Sequence, residues 1–246
     1  MSSQTLTLTS GDSYAVINLV GSALVGLRFG EHELIPDTDL GPKVFAGTLL
    51  TPWPNRIQNG TYQFEGKQYQ LEIRDGKGNA LHGMVDEQRA DAVESRTGYA
   101  KLETFLVAYE GYPANLKVES VFELSATELT VSYQVTNQGP GNAPVGIGTH
   151  PYFLYTDSTK IEINAKTAAV HDSQMIPIGE VSTADLGLGP GRASLVSNLK
   201  LDTQFGQLGD PVATVTNDEF AYDIWQQEAN WLMVYNTTVF PWAKGQ

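Results

Sequence analysis

Hydrophobic and polar residues alternate with a period of two along most of this chain. That period is typical of β-strands, whose successive side chains point to opposite faces of a sheet, whereas the 3.6-residue period of helices is scarce. Alternating apolar residues on both sides of Glu65-Gly66 predict a β-hairpin. Further strands are predicted at residues 6–8, 102–109, 116–124, 129–136, 161–165, 213–216, 222–226 and 231–235.

Turn-forming residues separate these short strands. The chain has 24 glycines and 12 prolines in 246 residues, and this pattern favours an all-β fold, a large antiparallel β-sandwich. Residues 139–141 and 187–191 are glycine-rich and are expected to be loops. Since no change in composition indicates a linker, residues 1–246 are interpreted as a single domain.

Charge and composition limit the possible partners. The net charge is −13, and the 15 basic residues are scattered along the sequence, so neither nucleic acid nor an anionic membrane is an expected partner. The apolar run at 14–27 is interrupted by polar residues and glycines and predicts neither a signal peptide nor a membrane span. We therefore expect a cytoplasmic protein, a monomer or homodimer, that binds a neutral small molecule.

Two of the four histidines lie in glycine-flanked segments that suit a catalytic site. His82 follows a loop-like stretch, and His150 precedes Pro151, which restricts its backbone to an extended conformation. Tyr152 and Phe153 follow, and aromatic rings pack well on the C–H faces of sugars. For any one histidine, the satisfaction of local hydrogen bonds is the alternative explanation.

Arg56 lies between a proline-bounded turn and Gly60, and its guanidinium group can donate to two sugar oxygens at once. An arginine that only caps a loop is an equally good interpretation of this segment alone. The absence of cysteine and of closely spaced histidines argues against a zinc site, so no metal is expected. No Gly-x-Ser-x-Gly step indicates a serine hydrolase.

Three segments together resemble the signature of the aldose 1-epimerase (mutarotase) family. They are Pro-Trp-Pro-Asn-Arg-Ile at 52–57, Asn-Ala-Leu-His-Gly at 79–83 and Gly-Ile-Gly-Thr-His-Pro-Tyr-Phe at 146–153. The resemblance implies a galactose-mutarotase-like supersandwich that interconverts the α and β anomers of free hexoses such as D-glucose or D-galactose. It implies no cofactor.

The resemblance also implies catalytic roles for two residues. His150 would be the general acid that protonates the ring oxygen of the sugar, and His82 would form a hydrogen bond near that oxygen. Histidine titrates near neutral pH, so it can give up and regain the same proton.

Substrate contacts are implied for four further residues, namely Asn55, Arg56, Tyr152 and Asp202. The Asp-x-x-Phe motif that carries Asp202 is short, and an aspartate in an ordinary turn is the alternative interpretation there.

One element of the family pattern is not matched. The general base of the family is a glutamate in a Glu-Pro block that follows the strand at 231–235, and the sequence ends at Gln246 before such a block. We therefore expect the domain to lack its last C-terminal strands. Met233 occupies a position where many family members have a sugar-contacting glutamine, which leaves the sugar preference open. Two alternatives remain, a non-catalytic carbohydrate-binding β-sandwich and a sugar-phosphate epimerase of the same fold.

Overall fold

Antiparallel strands form almost all the regular structure of this computed structural model, which describes residues 4–37 and 44–236. Backbone contacts divide the chain into two compact units, Met1–Phe153 and Leu154–Gln246. Within the described residues, no helix is both long and apolar enough to cross a bilayer. The prediction of an all-β, antiparallel chain is confirmed. The prediction of a single domain stays a prediction.

The first unit contains two four-stranded meanders, in which each strand pairs with the next along the chain. Their strands are β1 (Thr5–Ser10), β2 (Ser13–Asn18), β3 (Ala23–Phe29), β4 (His32–Ile35), β10 (Asp91–Arg96), β11 (Tyr99–Leu106), β12 (Leu116–Leu124) and β13 (Leu129–Asn137). Alternation along β11 turns Leu102 and Leu106 inward. A core cluster forms around Leu49, Val85 and Tyr112, all at most 1% exposed.

Three short strand pairs complete the first unit and carry the segments that the sequence singled out. They are β5 (Leu49–Leu50) with β14 (Gly148–Thr149), β6 (Arg56–Ile57) with β9 (Ala80–Leu81), and β7 (Thr61–Phe64) with β8 (Lys67–Gln70). The last pair is the predicted hairpin around Glu65-Gly66. A two-residue strand fixes few side chains by itself, so the loops around these pairs must hold the local geometry.

The second unit is a six-stranded sheet built on two long strands. Its strands are β15 (Lys160–His171), β16 (Pro177–Ser182), β17 (Ser194–Leu195), β18 (Asp202–Thr216), β19 (Ala221–Ile224) and β20 (Trp231–Tyr235). β15 and β18 pair with each other, and β18 pairs with β20 along its first half and with β19 along its second. Phe205 and Ile163, both 0% exposed, lie in the core of this unit.

Asn236 holds the start of β18 in place. Its side-chain oxygen accepts a hydrogen bond from the Leu201 amide at 2.6 Å, and its side-chain nitrogen donates to the carbonyls of Leu199 and Val196 at 2.7 and 3.3 Å. The segment before Asp202 is therefore tied to the end of β20.

The strands that alternation missed have clear physical reasons. β10 is exposed at all six positions, so it shows no apolar period. β2 is buried at five of six positions, and a continuous apolar run does not distinguish a strand from other buried segments. β18 was predicted only at 213–216, because Gly206, Gly209 and Pro211 interrupt the alternation before it. The expected loss of C-terminal strands concerns the chain beyond Asn236, outside the described residues.

Candidate active site

Two of the motifs pack directly against each other in the first unit. Thr51 Oγ1 donates to the Gly146 carbonyl at 2.9 Å, and the Gly146 amide donates to the Pro52 carbonyl at 2.7 Å. A Cβ atom on Gly148 would lie 2.7 Å from Cβ of Pro54. The Gly-x-Gly step is therefore needed because the chain before His150 runs directly over the proline-rich turn.

The third motif joins this arrangement at Gly83. The Met84 amide donates to the Thr51 carbonyl at 2.9 Å. Gly83 has φ of +78°, and a Cβ atom there would lie 2.3 Å from the same carbonyl oxygen. Val85, two residues later, is fully buried in the core cluster. The loop after His82 is thus fixed between the turn at Thr51 and the core.

His82 is held by a reciprocal pair of hydrogen bonds with Asn55. The His82 amide donates to the Asn55 carbonyl at 3.0 Å, and the Asn55 amide donates to Nδ1 of the His82 ring at 3.1 Å. Because Nδ1 is an acceptor, the proton of the neutral ring must be on Nε2. His82 therefore presents an N–H donor at Nε2.

The surroundings of His82 also disfavour a positive charge on the ring. Burial, together with the nearby charges of His150, Arg56 and Arg74, lowers the pKa of His82 from 6.5 to about 3. At neutral pH the ring is uncharged, so it can donate a hydrogen bond but does not act as an acid that loses a proton near pH 7.

His150 is fixed by its main chain on both sides. Its amide donates to the Thr48 carbonyl at 3.1 Å, and its carbonyl accepts from the Gly47 amide at 2.8 Å. The ring centroid lies 5.4 Å from that of His82, with the two planes perpendicular, and 4.9 Å from that of Tyr152. The two motif histidines are therefore neighbours, although 68 residues separate them in sequence.

Arg56 lies beside a buried carboxylate. Its Nε donates to Oδ2 of Asp75 at 2.9 Å, and its Nη1 donates to Oδ1 of Asn55 at 3.2 Å. The side chains of Arg56 and Asp75 are 17% and 5% exposed. These contacts fix the orientation of the guanidinium group, whose Nη2 has no hydrogen-bonding partner in the described parts of the chain.

Asn79 organises the contacts of Asp75. It is fully buried; its amide donates to Asp75 Oδ1 at 2.6 Å and its side-chain nitrogen to Asp75 Oδ2 at 3.1 Å. Its side-chain oxygen accepts from the Asn59 amide at 3.1 Å. Burial alone would raise the pKa of Asp75, but the hydrogen bonds from Asn79, followed by those from Arg56 and the Lys77 amide, lower it from 3.8 to about 2.

A second ion pair borders the site, between Arg74 and Asp86. The guanidinium group binds both carboxylate oxygens, Nη1 to Oδ1 at 2.9 Å and Nη2 to Oδ2 at 2.6 Å. The Asp86 side chain is 3% exposed. Sequence reasoning missed both pairs; for Asp75, the turn-forming run Asp-Gly-Lys-Gly-Asn at 75–79 was the available signal.

Most of the predicted site residues come together in the first unit: Asn55, Arg56, His82, His150 and Tyr152. Asp202 is the first residue of β18 in the second unit, where its Cα is opposite that of Tyr235. All the individual roles stay predictions. Among residues 4–37 and 44–236, no group of three or more His, Asp or Glu side chains is arranged to hold a metal ion.

The chain is similar in sequence to several known proteins. The aldose 1-epimerase family model matches residues 4–241. The uncharacterized protein YihR of Escherichia coli K12 is 31% identical over 96% of this chain and 80% of its own length. Galactose mutarotase of Bos taurus is 31% identical over 56% of this chain and 43% of its own length.

A solved structure confirms the predicted fold class, a large antiparallel β-sandwich of the galactose-mutarotase type. The GalM/aldose epimerase homologue from C. elegans superposes with a TM-score of 0.83 at 18% identity, covering 96% of this chain and 82% of that one.

The close approach at Gly83 gives a stability prediction. Gly83→Ala should lower the free energy of unfolding by about 3 kcal/mol or more, because it adds a steric clash to a left-handed backbone. Gly66→Ala is the matched control, since Gly66 has φ of +79° with no atom within 4 Å of the added Cβ, and should lose only about 1 kcal/mol. Urea unfolding measures the free energy of unfolding of both variants. Equal losses would show that the close approach of the Thr51 carbonyl oxygen does not exclude a side chain at position 83.

The low pKa of Asp75 gives a second prediction. The folded-state pKa lies below its ordinary value, so the carboxylate stabilises the fold above about pH 4, and this contribution is lost as pH falls through 2. Asp75→Asn should therefore lower the free energy of unfolding at pH 7 by roughly 2 kcal/mol, as a shift from 3.8 to about 2 implies. It should also flatten the dependence of stability on pH between 4 and 2.

Unfolding at a series of pH values tests this, with Asp91→Asn, an exposed carboxylate on β10, as the control. A variant that keeps the stability and pH dependence of the parent protein would contradict the role given to the Asp75 network.

Proposed function

This chain belongs to the aldose 1-epimerase family, and we propose that it is a mutarotase that interconverts the α and β anomers of a free aldohexose such as D-glucose or D-galactose. The single observation that best supports this is the pairing of His82 and His150 with ring centroids 5.4 Å apart. A relative named galactose mutarotase supports the choice of sugar.

The reaction needs proton transfers at two oxygens. The ring oxygen must gain a proton while the anomeric hydroxyl loses one, after which the ring opens, the C1–C2 bond rotates and the ring closes on the other face. A positioned acid and base achieve this without a metal. In this proposal His150 is the acid that protonates the ring oxygen and takes the proton back on closure.

His82 has a different task in this proposal. With Nδ1 committed to the Asn55 amide, its Nε2–H donates a hydrogen bond near the ring oxygen and keeps its proton throughout. Two adjacent histidines with distinct environments can thus divide the work, one moving a proton and the other orienting the oxygen that receives it. A pH near neutrality leaves His82 uncharged, since its pKa is about 3.

The charges around the site favour an uncharged sugar. Arg56 is paired with Asp75, and Arg74 with Asp86, so each arginine already has a carboxylate partner. A phosphate group is best bound by guanidinium or ammonium groups that lack such partners. Arg56 can still donate from Nη2 to a sugar hydroxyl, and Tyr152 can provide an aromatic surface beside His150. These features support a free hexose over a sugar phosphate.

The proposal gives the role of general base to no residue of the described chain. If the protein binds sugar without interconverting its anomers, it is instead a carbohydrate-binding β-sandwich. The pairing of two histidines argues for the enzyme, because binding alone does not require a proton donor beside a second N–H donor.

Polarimetry tests the activity directly. The protein should accelerate the relaxation of freshly dissolved α-D-glucose or α-D-galactose to anomeric equilibrium, in proportion to its concentration. His150→Ala should lower the rate at least ~100-fold, because a general acid contributes about that much. His32→Ala, on β4, should not change it. An unchanged rate in His150→Ala would remove the acid assignment, and sugar binding without acceleration by the parent protein would favour the binding module.

The pH dependence separates the two histidines. His82→Gln should lower the rate but keep the alkaline limb of the rate profile, where the general acid loses its proton, because a ring with a pKa of about 3 does not titrate in that range. Rates measured from pH 4.5 to 8 provide the test. If the alkaline limb disappears in His82→Gln, then His82 is the titrating acid and the assignments must be exchanged.

A further inference from the structure

Planar side chains form a continuous row through the candidate site. Cζ of Arg74 lies 5.8 Å from the ring centroid of Phe45, whose ring in turn meets that of His82 at 4.7 Å in an edge-on contact. His150 and Tyr152 follow at 5.4 and 4.9 Å. Only the histidines and Tyr152 belong to the motifs of the sequence, so Arg74 and Phe45 have no assigned role.

Arg74 anchors the outer end of this row. Its side chain is held by both oxygens of the buried Asp86 carboxylate, and its amide donates to the Asn79 carbonyl at 3.0 Å. Asn79 precedes His82 by three residues and Asp86 follows it by four. Arg74 therefore bridges the two ends of the segment that carries the imidazole.

Phe45 packs against the His82 ring, whose tilt the hydrogen bonds do not fix. The reciprocal bonds with Asn55 fix the position of Nδ1 and of the His82 main chain. The imidazole ring can still tilt about Nδ1, and such a tilt would redirect Nε2. An edge-on aromatic contact restricts that rotation. The guanidinium group within about 6 Å of the Phe45 ring is in the range of a cation–π interaction and holds the ring in turn.

We propose that Arg74 and Phe45 are positioning residues for His82, which keep its imidazole neutral and its Nε2–H aimed at the substrate. This inference rests on the proposed function of His82 as a hydrogen-bond donor. Arg74 touches no reacting atom in it and acts through its charge, through Phe45 and through the loop that it bridges.

The charges around His82 agree with this role. The groups that face it are His150, Arg56 and Arg74, all of which disfavour a positive imidazole. The carboxylates of Asp75 and Asp86 are bound to the two arginines. Removing the Arg74 charge would leave the Asp86 carboxylate without its cation, and both changes would make protonation of His82 easier.

Nitrogen-15 NMR of the histidine side chains is the primary test, because it reports protonation without any catalysis. In the parent protein His82 should carry its proton on Nε2, with Nδ1 unprotonated, at every pH above about 4. Arg74→Gln should raise the pKa of His82 by about half a pH unit or more, and should lower kcat about 5-fold or more with a smaller change in KM. Arg74→Lys, which retains the charge, should restore most of the parent pKa of His82 and most of the parent kcat.

Arg96→Gln is the matched control. It removes the same charge and another arginine–aromatic contact, since Arg96 Cζ lies 3.9 Å above the Tyr99 ring, but on β10. It should shift neither the His82 signals nor kcat. If Arg74→Gln gives a folded protein whose His82 pKa, tautomer and kcat are those of the parent, the proposal is overturned.

Phe45→Leu provides an independent test, because it keeps the ion pair between Arg74 and Asp86. It should lower kcat and raise the pKa of His82 by exposing the ring, and parent values in this variant would overturn the proposal even if Arg74→Gln fails to fold. A parent protein that shows no mutarotation would refute the proposed function alone, and the NMR signals would still decide whether Arg74 and Phe45 control the state of His82.

Discussion

The hydrogen bond from the Asn55 amide to Nδ1 of His82 is the contact on which the candidate site depends. A main-chain amide can only donate, so it selects one tautomer of the neutral ring and fixes the direction of the other nitrogen. The return bond from His82 to the Asn55 carbonyl places Arg56 beside the same ring. The pair of Asn55 and His82 thereby connects three parts of the site: the turn at Asn55, the candidate substrate-binding residue Arg56 and the Nε2–H donor of His82.

Rigidity in this site comes from loops that are fixed by polar contacts rather than from long strands. Arg56 lies on a strand of only two residues, and His150 directly follows another strand of two residues. Their positions are determined instead by glycines that permit close packing and by the buried amide of Asn79, which connects Asp75 with the Asn59 turn. Such contacts orient side chains precisely without requiring regular structure.

The sequence predicted the elements whose physics is local. The hairpin at Glu65-Gly66 and strand β12 followed from alternation, and the motifs identified both histidines and Arg56. Arg74 and Asp75 were missed because a charged residue in a loop is ordinary until its buried partner is known, and those partners are fixed by tertiary contacts. The tautomer of His82 was likewise beyond sequence reasoning, since it depends on a contact with a residue 27 positions away.

The low pKa of His82 lowers the free energy of unfolding in acid. Its pKa is about 3 in the folded protein and 6.5 ordinarily. Between these two pH values the imidazole is protonated in the unfolded chain but not in the folded one. As pH falls below about 6.5, this group therefore favours unfolding more and more until pH 3, whereas Asp75 still stabilises the fold until pH approaches 2. The neutral state that makes His82 a hydrogen-bond donor therefore also reduces the stability of the fold in weak acid. In a variant without this histidine, the free energy of unfolding would depend less on pH between 6.5 and 3, but the site would lose its Nε2–H donor.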